Sequence, residues 1–534
     1  MNMNELTFID LFCGCGGFSL GMERAGFKCL AAIDFNSEAI EVYRSNFSHQ
    51  QHALEKDLIK FDPDELANSI GHKDVDVIVG GPPCQGFSIS RQVDGANSGE
   101  RIVEDKRRRL YKEFLRYVAY FRPKVFVMEN VLGIRSADNG VYFSQVQDEA
   151  RSLGYRVLPK VENAFRLGVP QKRRRQLFIG TREDLPDYFV DDLKRPARAC
   201  EKPPLWMAIG DLPILRAGGG VEETDYPLKY RERYLKKFGP QFLTDVLEIN
   251  RSAKLTSHVA RRHSERDLRD FKKLREGENS SEAIKRGVKF DFPYDKNKFK
   301  DRYTRQDRRE PCSTIVAHMS KDGLMFIHPT QNRSLTAREA ARIQSFPDWF
   351  VFPVARTHQL RLIGNAVPPL VGEAVGDGVK HYLQTLLDLN AGAKFRLASL
   401  IPVDEDQALS HLRELINSVD EKRLRKLPDE EFKRGWFSIG YLYPRLHPDG
   451  ALESGNRVSN ISANGAHLKR IDQRLAAPFY VQSGWPVILE PVVREAHRRY
   501  KVGQLKKYEL YPNEAAIAGL RNRVILREEK QEKP

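Results

Sequence analysis

Over the first 180 residues, short apolar runs alternate with stretches of helical pattern, and this alternation leaves few folds open. The runs are Leu6 to Phe12, Cys29 to Ile33, Val75 to Val79, Val125 to Met128 and Gln176 to Ile179. Each is short and bounded by turn or charged residues, as a buried strand is. Phe18 to Ala25 reads as a helix, and Ser37 reads as the cap of another that runs through Tyr43. Strands spaced by helices imply a parallel sheet with right-handed crossovers. In such a sheet ligands sit beyond the carboxyl ends of the strands. The residues that follow each run are therefore the first place to look for chemistry.

The first run enters a glycine turn, Phe8-Ile-Asp-Leu-Phe-Cys-Gly-Cys-Gly-Gly17, ahead of a helix. Glycines allow close backbone approach, and free N–H groups at a helix start favour an anion. The turn suits a pyrophosphate or the carboxylate of a methionine moiety. A tight turn with no ligand is the plainer alternative. The spacing differs from the Gly-x-Gly-x-x-Gly of dinucleotide folds. Asp34 ends the second strand about twenty residues on, where an acid can accept two ribose hydroxyls. Asp57 ends a further segment, where it could face an adenine amino group or simply cap a helix.

The third run leads into Gly80-Gly-Pro-Pro-Cys-Gln-Gly-Phe-Ser88. Two prolines stiffen the approach to Cys84 and would fix the direction of its thiol. The fourth run ends in Glu129-Asn-Val131. In a doubly wound sheet Glu129 falls beside Cys84 at the same edge. A thiol next to a carboxyl suits attack on an electron-poor ring with proton donation. Gln171-Lys-Arg-Arg-Arg175 precedes the last run and could fork to a base carbonyl or hold phosphate.

Residues 181–310 break the rhythm, with Gly218-Gly-Gly220 and basic stretches such as Arg261-Arg262. The strand-like pattern returns at Cys312 to Val316. A helix over Thr336 to Gln344 follows, and another after Pro369. Beyond about residue 390, Leu409, Leu412, Leu415, Ile416 and Val419 form one helical stripe.

Six cysteines, with no Cys-x-x-Cys pair, make neither a disulfide framework nor a zinc ribbon. Cys13 and Cys15 read as small residues in the glycine turn, and no metal site is expected. No apolar run reaches membrane-spanning length and the start lacks a signal-peptide layout, so a cytoplasmic location is expected. Lys+Arg of 87 against Asp+Glu of 72 gives a net charge of +15, which suits a polyanionic partner.

Together and in this order, these motifs resemble the DNA cytosine-5-methyltransferase family of bacterial restriction-modification systems. The resemblance covers residues 6 to about 180 and about 303 to 380. It is carried by Phe8 to Phe18, Gly81-Pro-Pro-Cys-Gln-Gly-Phe-Ser88, Asp105-Lys-Arg-Arg-Arg-Leu110, Glu129-Asn-Val131 and Gln171-Lys-Arg-Arg-Arg175. Ser334 to Pro347 and Ile363-Gly-Asn-Ala-Val-Pro368 are similar to the family's last two motifs. The family often has Glu where this chain has Asp34.

The resemblance implies an α/β, Rossmann-like methyltransferase domain that uses S-adenosylmethionine, with a smaller target-recognition domain. An extra α+β region would follow at the C-terminus. The expected division is 1–180 catalytic, 181–310 target recognition, 311–385 the final motifs returning to the catalytic domain, and 390–534 of unassigned role. Cys84 would attack C6 of a cytosine flipped out of double-stranded DNA, and Glu129 would hold N3 and the exocyclic amine. Arg175 would contact the cytosine O2, with Arg173 supporting the same side of the pocket. The glycine turn, with Gly14, Gly16 and Gly17, would take the cofactor together with Phe12, Asp34, Asp57, Asn365 and Val367. Pro83 would wall the methyl group. The loop from Ser88 to about Arg109 would close over DNA. A monomer is expected, with a cognate restriction endonuclease acting separately where one exists. An RNA cytosine-5-methyltransferase is the competing reading, which the large region 181–302 and the added tail disfavour.

Overall fold

A computed structural model describes residues 5–83, 110–185, 193–226, 228–251, 254–291 and 303–390. Cys84, the loop from Ser88 to Arg109, the stripe 409–419 and the whole region beyond 390 lie outside the described residues. The chain divides into two units. The first is Met1–Arg182 with Asp192–Lys380, and everything below concerns it. The second is Glu183–Asp191 with His381–Pro534, described only at 183–185 and 381–390.

The first unit opens with β1 (Thr7–Leu11), α1 (Gly17–Arg24), β2 (Lys28–Asp34), α2 (Ser37–Asn46), β3 (Ala53–Glu55), α3 (Pro63–Ile70) and β4 (Val77–Gly80). After the undescribed loop come α4 (Leu110–Phe121), β5 (Val125–Val131), α5 (Val141–Ser152), β6 (Tyr155–Asn163) and β7 (Arg174–Arg182). The later part holds α6 (Leu205–Ile209), β8 (Glu223–Thr224), α7 (Leu228–Phe238), β9 (Leu255–Thr256), α8 (Glu265–Lys273) and α9 (Ser280–Lys285). It ends with α10 (Ala337–Ile343), α11 (Arg356–Asn365) and the part of α12 (Pro369–Asn390) up to Lys380. No helix of the described residues is long and apolar enough to cross a membrane.

The first seven strands form one sheet in the order β3-β2-β1-β4-β5-β7-β6. Its first five members are parallel. Phe8, Ile9, Leu11, Val77, Ile78, Val125 and Phe126 are all fully buried, as strands covered on both faces require. The chain order reverses between β1 and β4, which makes that edge the switch point where a ligand cleft opens. The parallel sheet expected from the sequence holds for these five strands and changes direction at the last run. β7 runs antiparallel to both β5 and β6. Only a short turn, Ala164–Leu167, and a few flanking residues join β6 to β7. A parallel crossover needs a dozen or more residues, so the chain must reverse.

Local chemistry fixes the helix starts. Asn36, not Ser37, caps α2, because its side chain accepts the Ala39 N–H while Ser37 is already helical. Thr336 and Glu339 form a reciprocal capping box at α10, as Asp62 and Glu65 do at α3. Helix α4 buries Tyr111, Phe114, Leu115, Tyr117, Val118 and Phe121 on one face, spaced for a helix lying on the sheet.

Cys312 to Val316 does not return to the sheet. Cys312 makes an isolated bridge to Gln171, and the next donors go to side chains. Ser313 N–H donates to Gln306 Oε1 at 3.0 Å and Ile315 N–H to Gln171 Oε1 at 3.1 Å. A second small core of Phe271, Leu274, Ala283, Phe290, Tyr303, Leu324 and Ile327 stands apart from the sheet core.

Candidate active site

The carboxyl ends of β1, β2, β4 and β5 meet along one edge of the sheet. At β1, Phe12 and Gly14 take positive φ values of 60° and 55°, so the turn bends sharply before α1. The Gly14 N–H donates to Asp34 Oδ2 at 2.9 Å, and the Asn36 N–H donates to Asp34 Oδ1 at 2.9 Å. Asp34 thus ties the glycine turn to the end of β2. Burial pushes its carboxyl pKa up, against the pull of those backbone N–H groups. Phe35, the next residue, has 63% of its surface exposed. An exposed aromatic face at a strand's carboxyl end is a stacking surface for a flat ring. Periodicity rewards burial and misses it. Its position directly after the strand-end acid is the signal that finds it.

Gly17 sits against the last motif. A Cβ there would overlap the Val367 carbonyl oxygen, so only glycine lets the two segments touch. A Cβ at Gly16 would run into Tyr43 and Phe47, whereas nothing lies within 4 Å of one at Gly14. The turn is packed from below and open above Gly14. Asn365, the exposed last residue of α11, and Val367 therefore lie beside the glycine turn. Asp57 is exposed beyond β3, and its Oδ1 accepts the Ile59 N–H at 3.1 Å.

At β4 and β5 the sheet brings a carboxylate to the approach of the Pro-Pro segment. Glu129 lies within β5 rather than past its end. A Cβ on Gly81 would be 3.4 Å from Glu129 Oε2, so the acid faces the backbone three residues before Cys84. Asn130 Nδ2 donates to the Pro82 carbonyl at 3.4 Å. Pro83 is half-buried next to it. Across the antiparallel pair, Arg175 Nε donates to Glu129 Oε1 at 2.8 Å. Register makes this possible, because Arg175 stands opposite Val131 and two residues from Glu129 on the same face.

Arg173 faces elsewhere. Its guanidinium is buried and donates to the carbonyls of Ile315 at 2.8 Å and Ala366 at 3.0 Å. It braces the segment that carries Asn365 and Val367. Gln171 has a similar place, with Nε2 donating to the side-chain oxygen of Gln344 at 2.5 Å. Sequence reasoning does not single Gln171 out from its motif, where a Gln leading four cations is the only trace it leaves, and its full burial appears only in the fold.

The described cysteines are poor nucleophiles. Burial pushes the thiols of Cys13, Cys29 and Cys312 up, and that of Cys15 to about 12. Cys200, half-buried, is also raised by burial. Among the described residues no group of three or more His, Cys, Asp or Glu is placed to hold a metal ion.

Comparison with known proteins places this edge in context. The sequence model of the C-5 cytosine-specific DNA methylases matches residues 6–381. The chain is similar to the Type II methyltransferase M.DdeI of Desulfomicrobium norvegicum, 36% identical over 402 residues, 72% of this chain and 91% of that protein. It is also similar to the Type II methyltransferase M1.HphI of Haemophilus parahaemolyticus, 34% identical over 378 residues, 70% of this chain and 87% of that one. Among solved structures, one described as a DNA modification methyltransferase encoded within a prophage (E. coli) superposes with a TM-score of 0.55. It is 28% identical and covers 71% of this chain and 99% of its own.

Proposed function

The chain belongs to the C-5 cytosine-specific DNA methylase family and is a DNA cytosine-5-methyltransferase, and from that premise we propose how it works and on what. It methylates C5 of a cytosine flipped from a specific double-stranded DNA sequence, through a covalent bond between Cys84 and C6. The observation that carries this reading is the Glu129–Arg175 pair beside Gly81, three residues before Cys84.

The residues divide the work. The thiolate of Cys84 adds to C6, which makes C5 nucleophilic. Glu129 bonds to N3 and the exocyclic amine, and giving a proton to N3 neutralises charge building on the ring. Arg175 fixes the Glu129 carboxylate and presents its remaining donors to the cytosine O2. Arg173 is a positioning residue that holds the segment of Asn365 and Val367. After methyl transfer a base, in this reading a water, takes the C5 proton, and Cys84 leaves C6. Extruding the base costs a few kcal/mol, which DNA contacts of the recognition region must offset.

The cofactor side fits S-adenosylmethionine. The open space above Gly14, the carboxyl of Asp34, the exposed ring of Phe35 and the exposed Asn365 form one border of the edge. Gly14, Gly16 and Gly17 with Phe12 would take the methionine end, and Asp34 the ribose. Phe35 and Asp57 would take the adenine, with Val367 and Pro83 as walls. When bound, the cofactor supplies an electrophilic methyl group.

The relatives' names, Type II methyltransferases, support a place in a restriction-modification system, with an orphan methylase as the alternative. The enzyme would then act as a cytoplasmic monomer, with any cognate endonuclease acting separately. Residues 181–310 would read the DNA target, 311–385 would return to the catalytic domain, and 390–534 would form the extra region.

DNA carrying 5-fluorocytosine tests the proposal. The wild-type protein should form a denaturation-resistant complex in the presence of the methyl donor, and Cys84→Ser should form none. Trapping of the Ser variant would remove Cys84 from the role. Labelled methyl groups should enter duplex DNA and not tRNA.

A further inference from the structure

The two walls assigned to the cofactor are carried by different elements. Asp34 and Phe35 lead into α2, and Asn365 and Val367 follow from α11. Helical spacing puts His358, Arg361 and Asn365 on one face of α11. Opposite that face, in the first turn of α2, stands Glu38. Glu38 Oε1 lies 2.5 Å from His358 Nδ1, and Glu38 Oε2 lies 3.5 Å from Arg361. The same Oε2 accepts a hydrogen bond from Asn36 Nδ2 at 2.6 Å, while the Asn36 backbone N–H holds Asp34. One carboxylate therefore links the acid of one wall to the helix that ends in the other. At the far end of α2, Asn46 exchanges two hydrogen bonds with the backbone of Val351, each 2.8 Å. That second tie brackets the helix, and Glu38 is a side-chain fastening on the site's side, beside the direct packing of Gly17 on Val367.

We propose that Glu38, with His358 and Arg361, is a clasp that sets the spacing of the two cofactor walls and thereby the affinity for S-adenosylmethionine. This rests on the reading of that edge as the cofactor site. Glu38 touches neither the reacting ring nor Glu129, so it is a positioning residue. Without the clasp the walls must be brought together on binding, and part of the binding energy is spent on ordering them. The three side chains are only partly buried, with 28%, 34% and 41% exposed for Glu38, His358 and Arg361. Solvent screening limits the effect to a modest one, and makes it sensitive to salt.

The test is titration of the full-length protein with S-adenosylhomocysteine at low and high salt, alongside steady-state kinetics. Glu38→Gln should weaken binding by about three- to ten-fold at low salt. It should raise KM for S-adenosylmethionine alike and leave kcat and the KM for DNA unchanged. Added salt should weaken the wild-type protein more than the variant, so that the two converge. Glu38→Asp, which keeps the carboxylate on a shorter stem, should recover part of the affinity that Glu38→Gln loses. Wild-type binding by Glu38→Gln would overturn the clasp. So would a loss shared equally by kcat, DNA affinity and melting temperature, which marks a folding defect. Failure of the wild-type protein itself to bind S-adenosylhomocysteine would instead bring down the cofactor reading, and the clasp with it.

Discussion

Glu129 near the end of β5 and Arg175 at the start of β7 keep 11% and 15% of their side chains exposed, and Arg175 Nε meets Glu129 Oε1 at 2.8 Å. Around α10 the terms differ. Arg333 meets Glu339 through two bonds of 2.8 Å, and Arg342 bonds Asp348 and Asp211. Arg338 donates to the Thr256 carbonyl and hydroxyl and to the Phe350 carbonyl. All of these charged side chains are at most 1% exposed. The network joins Asp211 and Thr256, inside residues 181–310, to the motif beginning at Ser334. Charge with every donor met by protein is scaffold. Charge that keeps lone pairs and N–H groups for an incoming group is a site. Both clusters lie in motifs that the sequence alone ranks equally.

Removing charge from each cluster should separate the two kinds. Glu129→Gln keeps size and hydrogen bonding but cannot pass a proton to N3. Methyl transfer should fall about 10²- to 10⁴-fold, with S-adenosylhomocysteine affinity and urea midpoint close to wild type. An unfolding change as large as the activity change would make Glu129 a scaffold residue and erase the contrast. Arg342→Met is the converse. It leaves Asp211 and Asp348 buried without their shared cation, and should lower unfolding free energy by about 3–5 kcal/mol. Urea denaturation measures it. A loss under 1 kcal/mol would mean that the network does not hold Asp211 and its neighbours to α10.

The contrast also explains what the sequence makes legible. β1 and β5 can be read because a strand covered on both faces is apolar over most of its length, Asp10 and the Glu129-Asn130 end apart. β6 cannot, because Arg156, Lys160 and Glu162 on an edge strand hide the pattern, and with β6 unseen the reversal of β7 has no visible cause. Cys312 to Val316 has the composition of a strand, but the side chains of Gln306 and of Gln171, the latter 144 residues away, take its donors, and neither contact shows in the local pattern. At the site, Glu129 is placed by topology alone, since the carboxyl end of a strand beside the switch point is where it must lie. Arg173 and Arg175 are two positions apart in one motif, and no pattern tells which guanidinium turns to carbonyls and which to a carboxylate. That choice is made by the register of β7 on β5 and by the segment at Ala366.

A third buried charge belongs to neither kind, and its smaller effect tests the rule from between them. Asp10 lies in β1 beneath the glycine turn, 1% exposed. Ser19 Oγ donates to its Oδ2 at 2.6 Å, while Oδ1 is buried with no hydrogen-bond partner among the described residues. Burial pushes its pKa to about 7, with Ser19 opposing and the nearby Asp34 adding to the rise. The sign follows from proton counting. Between about pH 4 and pH 7 the folded protein keeps a proton that the unfolded chain has released, so stability falls as pH rises through that window and levels off above it. Asp10→Asn removes the titration while keeping an acceptor for Ser19. Its amide nitrogen would lie where Oδ1 has no partner, so the variant's absolute stability is a poor guide. The informative quantity is the slope. Between pH 5 and pH 8 the wild-type protein should lose about 2 kcal/mol more than Asp10→Asn, read from urea midpoints at the two pH values. Equal losses would mean that Asp10 has a solvating partner and belongs with the saturated cluster around α10.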